Sequence, residues 1–168
     1  MSGALSPSAR RVQDALAACG LDCRIVEHEA SSRTSADAAA LLGCSVAQIA
    51  KSLVFRRVDA GGGAVLVIAS GGNRVDEAKV AAIVGSPVAR PDAAYVREVT
   101  GYAIGGIPPL GHASPMPVIF DEDLLRHPVV YAAGGTPNAL FPVAPADLVR
   151  ASGGRVADVA LGSGTRPG

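Results

Sequence analysis

Gly63-Ala-Val-Leu-Val-Ile-Ala-Ser70 is a run whose six central side chains are all apolar. A strand with one wet face would alternate, and this one has no polar face to offer, so it must lie inside a sheet that is covered on both sides. Lys51-Ser-Leu-Val-Phe-Arg-Arg-Val58 precedes it as a second strand. The short, glycine-rich Asp59-Ala-Gly-Gly62 segment joins the two as an antiparallel hairpin.

Helices and further strands can be placed around that hairpin. Val12, Leu16 and Cys19 recur at helical spacing over residues 8–19, and Gly20 supplies a stop. Residues 23–28 read as a short strand, and Thr34 or Ser35 caps a helix through residues 36–42 that Gly43 ends. Ser45 and Gln48 have capping-box spacing for one more turn. Helices are predicted over 76–84, with Val75, Lys79, Ala82 and Ile83 near the sheet, and over 91–99, with Pro91 in its first turn. Beyond Thr100 short apolar runs at 116–120, 129–133 and 139–143 alternate with Gly and Pro, which predicts short strands linked by shaped loops. A helix over 145–151 and an edge strand over 155–159 close the domain. One domain over residues 1–161 is expected, with 162–168 a disordered tail.

Composition narrows the function classes. Lys+Arg and Asp+Glu both number 15, so the chain has no broad electrostatic grip on duplex DNA, and any RNA contact is local. Aromatic residues make up 4% and Trp is absent, which argues against ligand recognition by stacking. Cys19, Cys23 and Cys44 are odd in number and lack CxxC spacing. They read as reduced thiols rather than as a zinc site with His28. Residues 1–8 hold no apolar run suited to a signal peptide, and residues 64–69 are too short to span a bilayer, so a cytoplasmic location away from membranes is the expectation.

No GxSxG elbow, HExxH motif or Gly-Lys-Ser/Thr phosphate loop occurs. Chemistry would have to come from positioning and backbone electrostatics. Strand alternation puts Lys51, Leu53 and Phe55 on one face. Lys51 is then either a strand-end lysine reaching for water or a fixed cation at a pocket mouth, suited to a phosphate or polarised carbonyl. Gly105-Gly106-Ile107-Pro108-Pro109-Leu110-Gly111 is either a strand connection or a stiff loop that presents main-chain groups to a ligand. Gly134-Gly135-Thr136-Pro137-Asn138 has the same two readings, and His112 stands next to the first loop.

Taken in order, the Lys51-Ser-Leu-Val-Phe strand, the loop from Gly101-Tyr102 to Gly111, and Ala133-Gly-Gly135 resemble the family of YbaK and the prolyl-tRNA synthetase editing domain. The residues 46–51 and 73–81 are also similar to the family pattern, and the resemblance runs from about residue 34 to 148. It implies an α/β fold on a twisted, partly closed, barrel-like mixed sheet surrounded by helices. It also implies hydrolysis of the ester in mischarged aminoacyl-tRNA, and the scattered His and Cys positions with the missing phosphate loop lead to the expectation of no metal and no cofactor. Lys51 would hold the acceptor end, and main-chain groups of Gly105 and Gly106 would orient the aminoacyl group. Water assisted by a ribose hydroxyl of the tRNA would be the nucleophile. Thr34, Phe55, Ile107, Pro108, Gly111, His112, Gly134 and Gly135 would line the substrate. The implied partners are the acceptor end of mischarged tRNA and, transiently, an aminoacyl-tRNA synthetase. His112 and Ala113 stand where several members place polar or basic residues. A side chain at Gly106 is expected to intrude on substrate. The competing readings are a non-catalytic module that binds a tRNA end or small anion, and a small-ester hydrolase, which the missing nucleophile motif disfavours.

Overall fold

The strongest long-range pairing is the hairpin around the apolar run, and the rest of the chain is arranged about it. A computed structural model describes residues 4–32, 34–59 and 62–162. In chain order it contains α1 (Pro7–Ala18), β1 (Val26–Glu27), α2 (Ser35–Leu42), β2 (Ile49–Arg57), β3 (Ala64–Ser70), α3 (Glu77–Val84), β4 (Val88–Ala89), α4 (Ala93–Thr100), β5 (Val118–Asp121), β6 (Val130–Ala133), β7 (Ala139–Val143), α5 (Pro145–Ser152) and β8 (Arg155–Ala157). Short 3-10 turns at Val46–Gln48 and Glu122–Arg126 precede β2 and follow β5. Residues 60 and 61 of the hairpin tip, and the tail from 163, lie outside the described residues.

The eight strands form one mixed sheet in the order β1-β7-β6-β2-β3-β5-β8, with β4 attached to β2 off that path. The terminal strands β1 and β8 do not pair, so the sheet is open. β3 is buried at every residue, as its composition requires. Leu66 and Ile68 face a cluster with Phe120, Phe141, Val12 and Leu16 of α1, Val96 of α4 and Leu148 of α5. Val65, Val67 and Ala69 face the opposite cluster with Phe55, Ile119 and Val80 of α3. Each Val, Leu or Phe buried in this way contributes about 2 kcal/mol relative to staying in water.

Local signals set the helix ends. Thr34 Oγ1 accepts from the Asp37 N–H at 3.1 Å, and Gly43 ends α2 at φ 71°. Asp92 Oδ1 accepts from the Tyr95 N–H at 2.8 Å, so α4 starts after the cap and Pro91 lies outside the helix that was expected to contain it. Asp76 caps α3 through the Ala78 and Lys79 N–H groups, and Val75 and Ile83 pack towards the sheet as expected. Val80 is the fully buried residue, Ala82 is exposed where it was expected near the sheet, and Lys79 reaches the chain after β8, with Nζ 2.9 Å from Asp158 Oδ2 and 2.8 Å from the Ala160 carbonyl. The strand expected over 23–28 shrinks to the two residues of β1, and β4 was not anticipated. Among the described residues no helix is long and apolar enough to cross a membrane.

Candidate active site

β2 is unequally paired along its two edges. On one side it runs against β3 from Ala50↔Ser70 to Arg56↔Ala64. On the other, β6 holds it only at Ile49 and Ala50, and β4 only at Arg56 and Arg57. Between those two contacts the sheet is split, and a cavity of about 440 Å³ opens there. That volume falls in the range of small-ligand sites. Lys51, Ser52, Leu53 and Val54 line it from β2, Ala133 from the end of β6, and Thr34, Ser35 and Ala38 from α2. Arg90, Pro91, Val96, Ile104, Gly105 and Ile107 close the opposite side. The cations Lys51 and Arg90 line the cavity, and among the described residues no Asp or Glu does.

Lys51 is anchored by the turn after β3. Its Nζ donates to the Asn73 carbonyl at 2.7 Å. Asn73 is itself fixed, because its Nδ2 donates to Asp121 Oδ2 at 2.9 Å and to Asp123 Oδ2 at 2.8 Å. Asp121 is fully buried and also accepts from the Ser70 N–H at 3.0 Å and the Asp123 N–H at 2.9 Å. Burial, and after it the Arg90 guanidinium, hold the Lys51 ammonium below its usual pKa; Asp121 acts in the opposite direction and Arg74 adds to the lowering. Asp121 and Asn73 were not foreseen as parts of the site. The only trace of Asp121 in the sequence is a carboxylate that ends the apolar strand Val118-Ile-Phe-Asp121.

The glycine-proline loop divides into two functions. Gly105 lines the cavity with φ 98°, a conformation that favours glycine, and a Cβ there would reach no closer than 3.7 Å, to Pro137 Cγ. Gly106 is buried and turned away from the cavity. Its N–H donates to the Ala103 carbonyl at 3.0 Å, and a Cβ would meet Thr136 Cα at 2.6 Å. The close approach at Gly106 is therefore between two loops, and a side chain there would first meet the Thr136 backbone.

Of the other residues singled out from sequence, Thr34 and Ile107 line the cavity, while Phe55, Pro108, Gly111, His112, Gly134 and Gly135 do not. Phe55 shares a face with Lys51 as alternation requires, but that face is the sealed cluster against α3. Its ring carries the Arg90 guanidinium 5.3 Å from the centroid, so it supports a rim cation from below. A Cβ at Gly134 would meet Ile25 Cγ2 at 2.9 Å, and one at Gly135 would meet the Ser8 carbonyl oxygen at 2.7 Å. These glycines seat the β6–β7 turn on Ile25, just before β1, and on α1. A Cβ at Gly111 would approach Ala15 to 3.1 Å, and His112 Nε2 lies 2.7 Å from the Pro108 carbonyl. Asn138 donates from Nδ2 to the His28 carbonyl at 3.1 Å and ties down the end of β1. Among the described residues no three His, Cys, Asp or Glu side chains are placed to hold a metal ion.

A mixed sheet of this topology, split beside a lysine-bearing strand and faced by a glycine-proline loop, has clear counterparts. The aminoacyl-tRNA editing domain matches residues 29–151, and the chain belongs to that family. "Uncharacterized protein YwhH" of Bacillus subtilis (strain 168) is 35% identical over 124 residues, 74% of this chain and 78% of that protein. A solved structure named "putative trans-editing enzyme for prolyl tRNA synthetase" is 49% identical, with a TM-score of 0.89 over 95% of this chain and 100% of that one. The crystal structure of "hypothetical protein APE2540" is 37% identical, with a TM-score of 0.82 over 90% of this chain and 99% of that one.

Proposed function

We propose that the protein is an aminoacyl-tRNA deacylase that acts in trans, in the cytoplasm, on the 3′ end of mischarged tRNA. The observation that carries this reading is the convergence of Lys51 and the main chain of Gly105 on one cavity of small-ligand size, in a chain of the editing-domain family. The 49% identical structure named for trans-editing supports the same reading. In the reaction a water oxygen adds to the ester carbonyl, the bond to the ribose oxygen breaks, and free amino acid and tRNA are released. The Lys51 ammonium fixes the negatively charged acceptor end, and the Gly105 amide helps to orient the acyl group. A ribose hydroxyl of the tRNA assists the water, so no protein nucleophile or cofactor is required. The charged residues near the cavity are few, in keeping with a grip on the acceptor end alone and with a synthetase as a transient partner.

Purified protein incubated with a panel of mischarged tRNAs, with ester loss followed against the uncatalysed rate, tests this directly. Acceleration for at least one wrongly paired amino acid is expected. Binding of charged tRNA with no acceleration anywhere on the panel would instead identify a non-catalytic module. Acceleration confined to small esters without tRNA would make the protein a general esterase.

A further inference from the structure

The split beside β2 leaves main-chain groups as well as side chains facing the cavity. The Gly71 N–H donates to the Ile49 carbonyl at 2.7 Å, and the Arg57 N–H donates to the Gly63 carbonyl at 2.9 Å. Both bonds lie on the β3 side. In an antiparallel pair the N–H and C=O of one residue turn to the same edge and those of the next residue to the other. Residues 49, 51, 53, 55 and 57 therefore bond to β3, and the even-numbered residues face away from it. Of these, Ala50 pairs with β6 and Arg56 with β4, and the Val58 N–H donates to the Pro87 carbonyl at 2.8 Å. Ser52 and Val54 remain. Among the described residues no strand pairs with them on that edge, and both line the cavity.

Unpaired main-chain groups inside a sheet are uncommon, since a buried donor or acceptor left without a partner costs on the order of 1–3 kcal/mol. A second observation points the same way: Ser52 Oγ is buried and has no hydrogen-bond partner among the described residues. The cavity also poses a charge problem for a ligand with an ammonium group. Among the described residues its lining carries the cations Lys51 and Arg90 and no carboxylate, so the acceptors it offers to such a group are carbonyl and hydroxyl oxygens.

We propose that the open edge of β2 at Ser52 and Val54 is the amino-acid subsite, which binds the acyl group by main-chain pairing. The α-ammonium of the esterified amino acid donates to the Ser52 carbonyl, and the ester carbonyl accepts from the Val54 N–H. This is the parallel pattern, in which a partner donates to residue i and accepts from residue i+2. It continues the pairing that β6 begins at Ile49 and Ala50 and breaks off at Ala133. The mode is strand addition reduced to one residue. Recognition then falls on the α-amino acid as a class, and the side chain is sorted separately by the apolar wall of Val54, Val96 and Ile107.

This inference rests on the editing reading, and the test separates the two. The probe is 3′-alanylamino-3′-deoxyadenosine, whose amide cannot be hydrolysed as the ester is. Amide hydrogen exchange is followed by NMR in the free protein and with the probe. Without it, the Ser52 and Val54 amides should exchange quickly, whereas Leu53 and Phe55, bonded to β3, should be protected. With it, the Val54 amide should gain at least about tenfold protection, the scale of one net hydrogen bond. The N-acetylated probe, which has no ammonium, should bind at least about tenfold more weakly. Probe binding with Val54 still unprotected, equal affinity for both probes, or no binding at all would each overturn the subsite. The mischarged-tRNA panel decides the editing reading independently of these outcomes.

Discussion

A lysine that is partly desolvated and flanked by Arg90 and Arg74 is unfavourable to keep charged, and the packing of its strand face is supplied by Leu53 and Phe55 instead. Lys51→Met keeps the aliphatic stem and removes the charge. Single-turnover deacylation should fall at least about a hundredfold, the scale of losing one preorganised electrostatic contact, while the melting temperature stays level or rises. A fully active variant would remove Lys51 from the reaction. The same residue should give activity and stability opposite responses to alkali. Activity that needs the ammonium declines as it deprotonates, which begins below the ordinary lysine value of 10.5. Between the lowered folded pKa and 10.5 the unfolded chain binds more protons than the native one, so stability contributed by this site rises with pH. Both trends should vanish in Lys51→Met, with activity corrected for spontaneous ester hydrolysis. Lys51 was legible because a charge opening an apolar strand is conspicuous. Phe55 lies on the face shared with Lys51, as alternation requires, but packs in the cluster against α3, while Lys51 and Leu53 of that face reach the cavity.

A capping residue and a stop made α2 readable, because Thr34 and Gly43 act on their immediate neighbours. The extent of β1 and the existence of β4 were not readable, since both are set by pairing with distant segments. The glycine loop shows the same division. Gly106 could be recognised as a place of close approach, but its contact with Thr136 depends on a loop brought in by β6 and β7. Gly106→Val should lower the melting temperature sharply, because the added carbon collides with backbone. Gly105→Ala, which meets only Pro137 at contact distance, should be strained mainly by its positive φ, on the order of 1–3 kcal/mol, and should reduce turnover beyond its effect on folding. Equal activity per folded molecule in wild type and Gly105→Ala would exclude its amide from the site. Asp121 belongs to this scale too, as it joins the end of β5 to the turn that carries Asn73. Asp121→Ala leaves the Ser70 N–H, the Asp123 N–H and one Asn73 amide bond without that acceptor. A loss of roughly 2–4 kcal/mol in urea unfolding is expected, together with reduced kcat as Lys51 loses its anchor. A variant as stable as wild type would mean that the network relaxes around the gap.

At the scale of the whole molecule, the site is a fault line in the sheet. No local pattern announces it, because β2 reads as an uninterrupted strand and the split arises from where β4 and β6 leave it. The glycine loops reach the cavity through Gly105 and Ile107, and their other residues close seams between layers: Gly135 packs on Ser8, Gly111 on Ala15, and the Arg11 guanidinium covers Tyr102 at 4.7 Å. His112 sits in this seam with Nε2 against the Pro108 carbonyl. Burial pushes its pKa below 6.5, and the hydrogen bond to Pro108 offsets part of that effect. The unfolded chain therefore takes up a proton more readily than the native one. The stability that His112 contributes is complete above 6.5 and is lost as pH falls through that value towards the lowered folded pKa. His112→Gln can donate to the same carbonyl without titrating, so its melting temperature should fall less than that of wild type between about pH 7.5 and pH 5. Because His112 does not line the cavity, kcat/KM near neutral pH should change little. Parallel melting curves across the acid range would show that His112 is not the sensitive group, and a large loss of kcat/KM at neutral pH would return the residue to the substrate side of the loop.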